Sequence, residues 1–500
     1  MLCFTVLSFA VMGYHPGLED DGIYLTAVKA RLNPALYPYN ADFFRLQMQA
    51  TVFDGAMAWF VRVTGVPVAW AELFWQLASI FTILWACHSI ARRLFREAAA
   101  QWSAVAMVGA MLTLPVTGTA LLLVDQHLHP RTLATALILL AVAKVMEGKD
   151  KAAIVFLALA VLMHPIMAVF GISFCVFLAL AMNDRVNERV EGLWPGKREI
   201  RSRIEAGGVR VGLLAAAPLG WVFAAGSSGW REALKAHTYY FIYKWTWYEW
   251  LGALAPLALF CVLWLWARRR GETPLARFGL AVFAYGLFQQ VVALVMLPPV
   301  GWLRMTPLQP MRYLHLVYVA MALVGGGLLG HFVLKKSVWR WVVCLALLNA
   351  GMLVSQEAQF PASRHLELPG VAPNDGWPCN DWIEAFDWIR QNTPTDAYFA
   401  LDPHYLNEPG EDYHGFRALA ERSSLADGVK DPAVVVQVPS LGVVWLRQVE
   451  AEKGWAQFEI GDFERLKQQF GVNWVVVSSP APAGLNCRWH NRTVAVCQIP

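Results

Sequence analysis

Three consecutive carboxylates, Glu19, Asp20 and Asp21, follow the first short apolar segment of the chain. They therefore lie where the polypeptide is expected to leave a membrane. Ionisable groups at a bilayer are costly and often functional, so this cluster is a candidate general base or ligand for a divalent cation. The alternative is that the acids only stabilise the start of a helix. Successive helical residues point about 100° apart, so at most two of the three can face one site.

A second polar cluster, Asp125, His127 and His129, precedes Arg131 in a loop between two apolar segments. Alternate residues of an extended loop point to the same side, so the three side chains can form one row. Such a row can hold a metal ion, or can orient a phosphate beside Arg131. A plain polar turn between two helices is the alternative.

Three further cations are candidate ligands for a lipid phosphate. Arg304 and Arg312 lie in and beside a proline-rich loop, and Lys244 lies in the aromatic loop Ser227–Trp250. Arginine forks suit phosphate or pyrophosphate groups. The aromatic residues suit an isoprenoid chain or a sugar ring, although aromatic residues are also common at any membrane interface. A plain anchoring role for the arginines is the alternative.

The composition is that of a membrane protein, because 57% of the residues are hydrophobic and only 16% are charged. A helical crossing needs about 20 apolar residues, and the segment Leu2–Met12 falls short of that length. The segments that reach or approach it are Val66–Ala91, Gln101–Val124, Arg131–Met146, Val209–Ala225, Leu251–Ala267, Leu275–Leu297, Met311–Val333 and Val338–Ser355.

The stretch Ala152–Met182 is long enough for one tilted crossing, yet it carries His164-Pro165 at its centre. The positive-inside rule places every basic cluster on the cytoplasmic side only if this stretch enters and returns. Proline at the break suits that arrangement. We therefore predict about eleven membrane segments, with the amino terminus inside and the carboxyl terminus outside. His164 itself either bonds a carbonyl freed by the break or binds substrate.

From Gln356 onward the chain alternates helices and strands, which predicts a membrane domain of residues 1–355 and an extracytoplasmic α/β domain of residues 356–500. Cys487 and Cys497 flank a predicted terminal hairpin and can pair in an oxidising compartment. The predicted elements are a capped helix at Asn380–Gln391, strands at Ala397–Leu401, Ala433–Val438 and Val472–Ser478, a helix at Asp462–Phe470 and the hairpin Asn486–Ile499.

This layout resembles the GT-C superfamily of membrane glycosyltransferases. The resembling features are a first helix, an acidic outer loop (Glu19-Asp20-Asp21), many further helices and a soluble outer α/β domain. The tail also resembles such proteins at Trp388–Ala397 and at Leu401-Asp402-Pro403. The resemblance covers most of the chain in architecture, but its sharpest motif is only three residues long.

The resemblance implies a transferase that moves a sugar from a polyprenyl phosphate to a lipid or polysaccharide acceptor. Asp20 or its neighbours would match the catalytic carboxylate of the first outer loop, as base or metal ligand. Asp125, with His127 and His129, occupies the place of a second acidic motif, and Mg²⁺ or Mn²⁺ would be the cation. The histidines depart from the usual acidic pair.

Two other functions stay open at this point. One is a transporter or flippase for a lipid-linked or anionic solute, and the other is a non-catalytic protein of envelope assembly. The central segments are nearly free of acids, which favours chemistry at the surface over transport. The basic excess lies in predicted cytoplasmic loops and needs no nucleic-acid partner. We expect a multi-pass protein of the bacterial inner membrane, in contact with membrane lipids.

Overall fold

The computed structural model describes residues 1–45, 47–184, 226–297, 303–371 and 380–500. The predicted crossing Val209–Ala225 and the basic cluster between residues 185 and 203 lie outside these ranges.

Most of the described chain is helical. The helices before the C-terminal domain are α1 (Leu2–Met12), α2 (Asp21–Leu32), α3 (Asp42–Arg45), α4 (Phe53–Thr64), α5 (Val68–Leu94), α6 (Ala98–Ala110), α7 (Pro130–Met146), α8 (Asp150–Met163), α9 (Pro165–Met182), α10 (Ser228–Ala236), α11 (Trp247–Arg269), α12 (Thr273–Met296), α13 (Leu314–Leu329) and α14 (Val338–Gln359). Short 3₁₀ turns at Leu303–Leu308 and Pro310–Tyr313 lead into α13.

Six helices among the described residues are long and apolar enough to cross a membrane: Val68–Leu94, Pro165–Met182, Trp247–Arg269, Thr273–Met296, Met305–Leu334 and Val338–Gln359. Large apolar side chains such as Trp85, Leu259 and Leu347 are exposed on them, as expected for surfaces in contact with lipid. The predicted fold class, a polytopic helical membrane protein with a C-terminal α/β domain, is confirmed. The number of crossings stays a prediction.

The predicted break at His164 is confirmed, and the chain does reverse there. The His164 ring lies 6.2 Å between centroids from the ring of His129, at the start of α7. At the other end, Arg277 near the start of α12 donates to the carbonyl of Met182 at 3.0 Å. Helices α8 and α9 therefore lead to the end of the bundle where His129 lies and back again. Pro165 begins α9, where its missing N–H costs no hydrogen bond.

The prediction of one helix over Gln101–Val124 is wrong. Helix α6 ends at Ala110, and a small hairpin of β1 (Pro115–Val116) and β2 (Leu121–Leu122) follows. Pro115 lacks the N–H that would continue the helix. Gly118 has a left-handed φ of 59° at the turn, where an added Cβ would meet the Trp245 ring.

The elements of the C-terminal domain are α15 (Asp381–Asn392), β3 (Tyr398–Ala400), α16 (Phe416–Ala420), β4 (Ser423–Ser424), α17 (Asp431–Gln437), α18 (Gly442–Ala451), α19 (Ile460–Phe470), β5 (Trp474–Ser478), β6 (Asn486–His490) and β7 (Val494–Gln498). The strands form one five-stranded mixed sheet in the order β4-β3-β5-β7-β6. The two pairings of β3 are parallel and those of β7 are antiparallel, and Cys487 is joined to Cys497 across β6 and β7 as predicted.

The predicted strand Ala433–Val438 is wrong, because this stretch lies in helix α17. Pro432 fits the first turn of that helix. The valines Val434, Val435 and Val436 are buried, and Trp230 of α10 donates its ring N–H to the carbonyl of Val436 at 3.2 Å. Packing against α10 therefore overrides the preference of valine for strands.

The C-terminal domain is joined to the first loop of the bundle by backbone hydrogen bonds. The N–H of Gly415 donates to the carbonyl of Gly17 at 2.8 Å, and that of Glu19 donates to Tyr413 at 2.9 Å. Gly415 also packs against Gly22, where an added Cβ would come within 2.6 Å of the Gly22 Cα. The carboxylates after this loop are therefore held directly below the soluble domain.

Candidate active site

Asp20 lies at the start of α2, and cationic or polar groups surround its half-buried carboxylate. Nε2 of His129 is 3.6 Å from one carboxylate oxygen, and Nζ of Lys430 is 3.6 Å from the other. Burial alone would raise the pKa of Asp20, but His129, Arg131 and Arg312 lower it well below its usual range. Asp20 is therefore ionised at neutral pH and faces the predicted phosphate-binding side chains.

Asp21 points in a different direction and is 2% exposed. Its carboxylate accepts the backbone N–H of Gly17 at 2.6 Å and shares a hydrogen bond with the Glu72 carboxyl of α5. Burial raises the pKa of Asp21. A hydrogen bond between two carboxyl groups requires a proton on one of them, so this pair carries one negative charge rather than two. Asp21 therefore holds the loop rather than facing the site.

Glu19, the third acid, forms an ion pair with Lys430 of the C-terminal domain. Its backbone is left-handed, with a φ of 56°, because the loop turns sharply before α2. Glu19 therefore links the two domains, and its contact with Lys430 places that ammonium beside Asp20 as well.

The second predicted cluster lies beside Asp20. Oδ1 of Asp125 accepts a hydrogen bond from Arg131 at 2.6 Å, while its buried Oδ2 has no partner in the described structure. Arg131 and the two histidines outweigh the effect of burial and lower the pKa of Asp125 to about 2. Both ring nitrogens of His127 are buried without a partner in the described structure. Buried polar atoms of this kind are rare and mark a place for a ligand, a water or an ion.

His129 does not fit the predicted metal site as well as its neighbours do. Its Nδ1 accepts the backbone N–H of Arg131 at 2.9 Å and so caps α7. Nδ1 is therefore unprotonated, and Nε2 carries the proton that faces Asp20. A histidine bound to a metal through Nε2 normally keeps its proton on Nδ1. Asp125 and His127 suit a cation, whereas His129 suits a hydrogen bond to Asp20.

The ligand atoms of the three predicted metal ligands do not converge on one point. Within the described ranges, one group of three His, Cys, Asp or Glu residues has ligand atoms within 4.8 Å of one another, and that group is His15, Glu367 and His414. A cation held at Asp125 and His127 would therefore need a further ligand.

Arg312 lies against the aromatic loop on the same side as Asp20, in electrostatic contact with Asp20, Tyr239 and Tyr240. Its Nε is buried and has no partner in the described structure. Gln309 donates to the hydroxyl of Tyr240 at 3.0 Å and so holds Tyr240, a neighbour of Arg312, in place. A narrow cleft follows these side chains, so the guanidinium can reach a ligand from one side.

Other predicted substrate-binding residues are placed less favourably. Lys244 is exposed and lies 5.0 Å from the centre of the Phe241 ring. Nδ1 of His164 accepts the backbone N–H of Met167 at 3.3 Å and so caps α9, which is a structural contact but not the predicted bond to a freed carbonyl. The Arg304 side chain lies outside the described structure.

Sequence reasoning missed Lys430, because this lysine is in the soluble domain, 410 positions after Asp20 and beside no recognisable motif. It also missed Tyr239, Tyr240 and Gln309 as neighbours of Arg312, although it singled out the aromatic loop. The one signal available for these residues was the density of aromatic side chains.

An apolar cavity of about 280 Å³ lies between helices α4, α5, α7 and α8. Its lining includes Phe53, whose ring contacts Tyr24, and Tyr24 in turn lies 4.8 Å between ring centroids from His129. The upper end of the cavity is therefore next to the polar site. A larger apolar cavity of about 540 Å³ lies at the opposite end of the bundle, where Arg270 is part of its lining.

Comparison with known proteins gives a partial match and a set of structural neighbours. A family described as a domain of unknown function (DUF6798) matches residues 380–434, at the start of the soluble domain. No curated protein matches the chain.

Three structural neighbours are oligosaccharyltransferase structures of Archaeoglobus fulgidus. The apo crystal structure is 11% identical with a TM-score of 0.45, and the match covers 95% of this chain and 69% of that one. The AglB complex with an inhibitory peptide and a dolichol-phosphate is 12% identical with a TM-score of 0.46, covering 95% and 68%. The complex with Zn and sulfate is 12% identical with a TM-score of 0.47, covering 95% and 67%.

Proposed function

We propose that this protein is a membrane glycosyltransferase that moves a sugar from a polyprenyl phosphate to an acceptor outside the cytoplasm. The observation that carries the proposal is the arrangement around Asp20. The ionised carboxylate lies under the soluble domain with two arginines, Arg131 and Arg312. Buried ligand atoms from separate loops that have no partner in the described part of the chain lie beside them. Such a site can bind an anionic leaving group and a hydroxyl acceptor at once.

The arginines would bind the lipid phosphate of the donor. Nε of Arg312 has no partner among the described residues, and Arg131 is held in place through its bond to Asp125. Preorganised cations stabilise the negative charge that grows on the phosphate oxygen as the glycosidic bond breaks. Neighbouring Tyr239 and Tyr240 add hydroxyl groups and aromatic faces for a sugar ring.

Asp20 would act on the acceptor. Its carboxylate accepts the hydrogen bond of the acceptor hydroxyl, whose oxygen forms a bond to the anomeric carbon. The bond from that carbon to the phosphate oxygen breaks, the phosphate leaves with the lipid, and the hydroxyl proton passes to Asp20. This single displacement inverts the configuration at the anomeric carbon. Lys430 and His129 hold the Asp20 carboxylate in position.

A divalent cation such as Mg²⁺ or Mn²⁺ fits beside this arrangement. Asp125 and His127 would hold it, because their buried atoms have no other partner in the described structure. Such an ion, when bound, would offset charge on the donor phosphate.

The isoprenoid chain of the donor would occupy the 280 Å³ cavity between α4, α5, α7 and α8. The lining is almost entirely apolar, and its upper end adjoins His129, so phosphate and lipid chain can be bound together. The site would face the extracytoplasmic side of a bacterial inner membrane, where lipid or polysaccharide acceptors are available.

The test is a transfer assay on the purified chain in detergent with radiolabelled polyprenyl-phosphate sugars and an envelope extract as acceptor. We expect label to move from the lipid to the acceptor fraction, and Arg312→Gln to reduce that movement strongly. Uptake of label into vesicles that contain the reconstituted chain, without a change of chemical linkage, would instead support a transporter or flippase. If the protein shows neither transfer nor uptake with any donor, the proposal is overturned.

A further inference from the structure

A second group of ligand-bearing side chains lies at the seam between the bundle and the soluble domain. His15 comes from the loop after α1, Glu367 from the segment after α14, and His414 from the residues before α16. Nδ1 of His15 is 3.2 Å from Oε1 of Glu367, and Nε2 of His414 is 3.2 Å from Oε2 of the same carboxylate. Both histidines are at most 1% exposed.

The hydrogen bonds of His414 fix which of its nitrogens faces Glu367. Its Nδ1 lies 3.1 Å from the backbone carbonyl of Glu411, and a carbonyl oxygen can only accept a hydrogen bond. Nδ1 therefore carries a proton, and in the neutral ring Nε2 presents a lone pair to Glu367. A lone pair and a carboxylate oxygen repel each other at this distance unless a positive charge lies between them.

We infer that His15, Glu367 and His414 form a zinc-binding site that clamps the first loop to the soluble domain. Two histidines and one carboxylate are a known ligand set for Zn²⁺. Two ligands bound at about 2.0–2.1 Å in a tetrahedral site lie about 3.3 Å apart, which is close to the spacing of the two histidine–glutamate pairs. The ligand atoms of all three residues lie within 4.8 Å of one another, so binding would draw them slightly closer together. The bond from Nδ1 of His414 to a backbone carbonyl is the outer contact that metal-bound histidines usually make.

The surrounding backbone explains what the ion would do. Tyr14 and Leu366 form a bridge on one side of the group, and Leu18 and His414 form another. The backbone N–H of His15 also donates to the carbonyl of Gln126 at 2.8 Å, within the loop that carries Asp125 and His127. One ion would therefore fasten together three chain segments, one of which is the loop that leads to Asp20. This inference does not depend on the proposed transfer reaction.

A protonated His414 is the competing source of positive charge. The pKa of His414 is raised to about 9 against the effect of burial, chiefly by Glu367. An imidazolium would satisfy the same contacts without a metal, so the experiment must separate an ion from a proton.

The experiment measures metal bound to the purified full-length chain and the effect of zinc on thermal unfolding. We expect about one zinc per chain after dialysis. We also expect the unfolding midpoint of chelator-treated protein to rise by at least about 2 °C when zinc is returned. Cobalt should replace zinc and give the visible absorption of a tetrahedral site. These readings on the unmodified chain do not depend on whether a variant folds.

Variants then assign the ion to its ligands. Glu367→Gln and His414→Gln should each lose the bound zinc and the response to added zinc, and His404→Gln is the matched control in the same domain. His404 is exposed, with its ring 3.8 Å from Asp402, so its loss should change neither reading. The double variant Asp125→Asn/His127→Asn should also retain zinc, which separates this site from the one beside Asp20.

Unmodified protein that holds no zinc and unfolds at the same temperature with and without added zinc would overturn the inference. The group would then be an ion pair with a protonated His414. Zinc retained in full by folded Glu367→Gln would also overturn it, because the ion would lie elsewhere.

Discussion

Two buried arginine–aspartate pairs in this molecule differ in how completely their hydrogen bonds are satisfied. In the soluble domain, both oxygens of Asp431 accept from Arg417, at 2.8 and 2.7 Å, and Arg417 also donates to Ser424 and to the carbonyl of Leu425. In the bundle, Asp125 receives Arg131 on one oxygen only, at 2.6 Å, and its other oxygen has no partner in the described structure.

The difference indicates different roles. In the first pair every side-chain nitrogen of Arg417 and both oxygens of Asp431 have a partner, so Arg417 and Asp431 serve the fold. In the second pair, one oxygen of the buried Asp125 carboxylate and both ring nitrogens of the neighbouring His127 lack partners among the described residues, so they can still bind a ligand. The position of the incomplete pair next to Asp20 is the reason for placing the chemistry there.

The largest expected effect is on stability. Asp431→Asn leaves Arg417 as a buried charge without its partner, so we expect a loss of about 3–5 kcal/mol in the unfolding free energy of the soluble domain. Asp125→Asn should cost about 1–3 kcal/mol, because only one hydrogen bond is weakened. Chemical unfolding followed by tryptophan fluorescence measures both. Equal losses would remove the distinction between the two pairs.

The next effect is on transfer. Arg312→Gln removes a cation from the proposed phosphate site, and we expect kcat to fall by about 10²-fold or more, as when a transition-state donor is lost. Arg270→Gln, at the opposite end of the bundle, is the control and should leave transfer unchanged. If Arg312→Gln kept half of the original kcat, the phosphate would have to bind elsewhere.

A smaller effect on transfer is expected when the soluble domain loses Lys430, the side chain that it places beside Asp20. Lys430→Met removes the ammonium near Glu19 and Asp20, and partly exposed ion pairs contribute about 1 kcal/mol or less. Transfer should therefore fall by about fivefold at most, and the loss should shrink in high salt. Lys453→Met, in the same domain, is the control. A loss above a hundredfold would make Lys430 a principal participant in the reaction.

The rate of transfer should not vary with pH in the physiological range through titration of Asp20 or His129. Burial, with Arg131, lowers the pKa of His129 to about 4, and the pKa of Asp20 is held well below its usual range. Both groups are deprotonated above pH 5, so their active forms are lost only as the pH falls through these low values. Initial rates between pH 5 and 8 test this. A rate that halves near pH 6.5 would indicate a different base.

Much of the fold is encoded locally. Asn380 caps α15 by accepting the N–H groups of Trp382 and Ile383, and the break at His164-Pro165 follows from the chemistry of proline. The failures have a tertiary cause, since the valines of α17 form a helix only because α10 covers them. The acidic loop was found by its residue types. Lys430 was not, because only the folded chain brings it next to Asp20.

The most direct test compares Asp20→Asn with Asp21→Asn in the transfer assay. The two positions are adjacent and carry the same chemical change, but Asp20 faces the cations while Asp21 is buried against Gly17 and Glu72. We predict that Asp20→Asn lowers kcat by about 10²–10⁴-fold with an unchanged unfolding midpoint. Asp21→Asn should mainly lower that midpoint. Transfer that continues at full rate in folded Asp20→Asn protein would contradict the proposed mechanism.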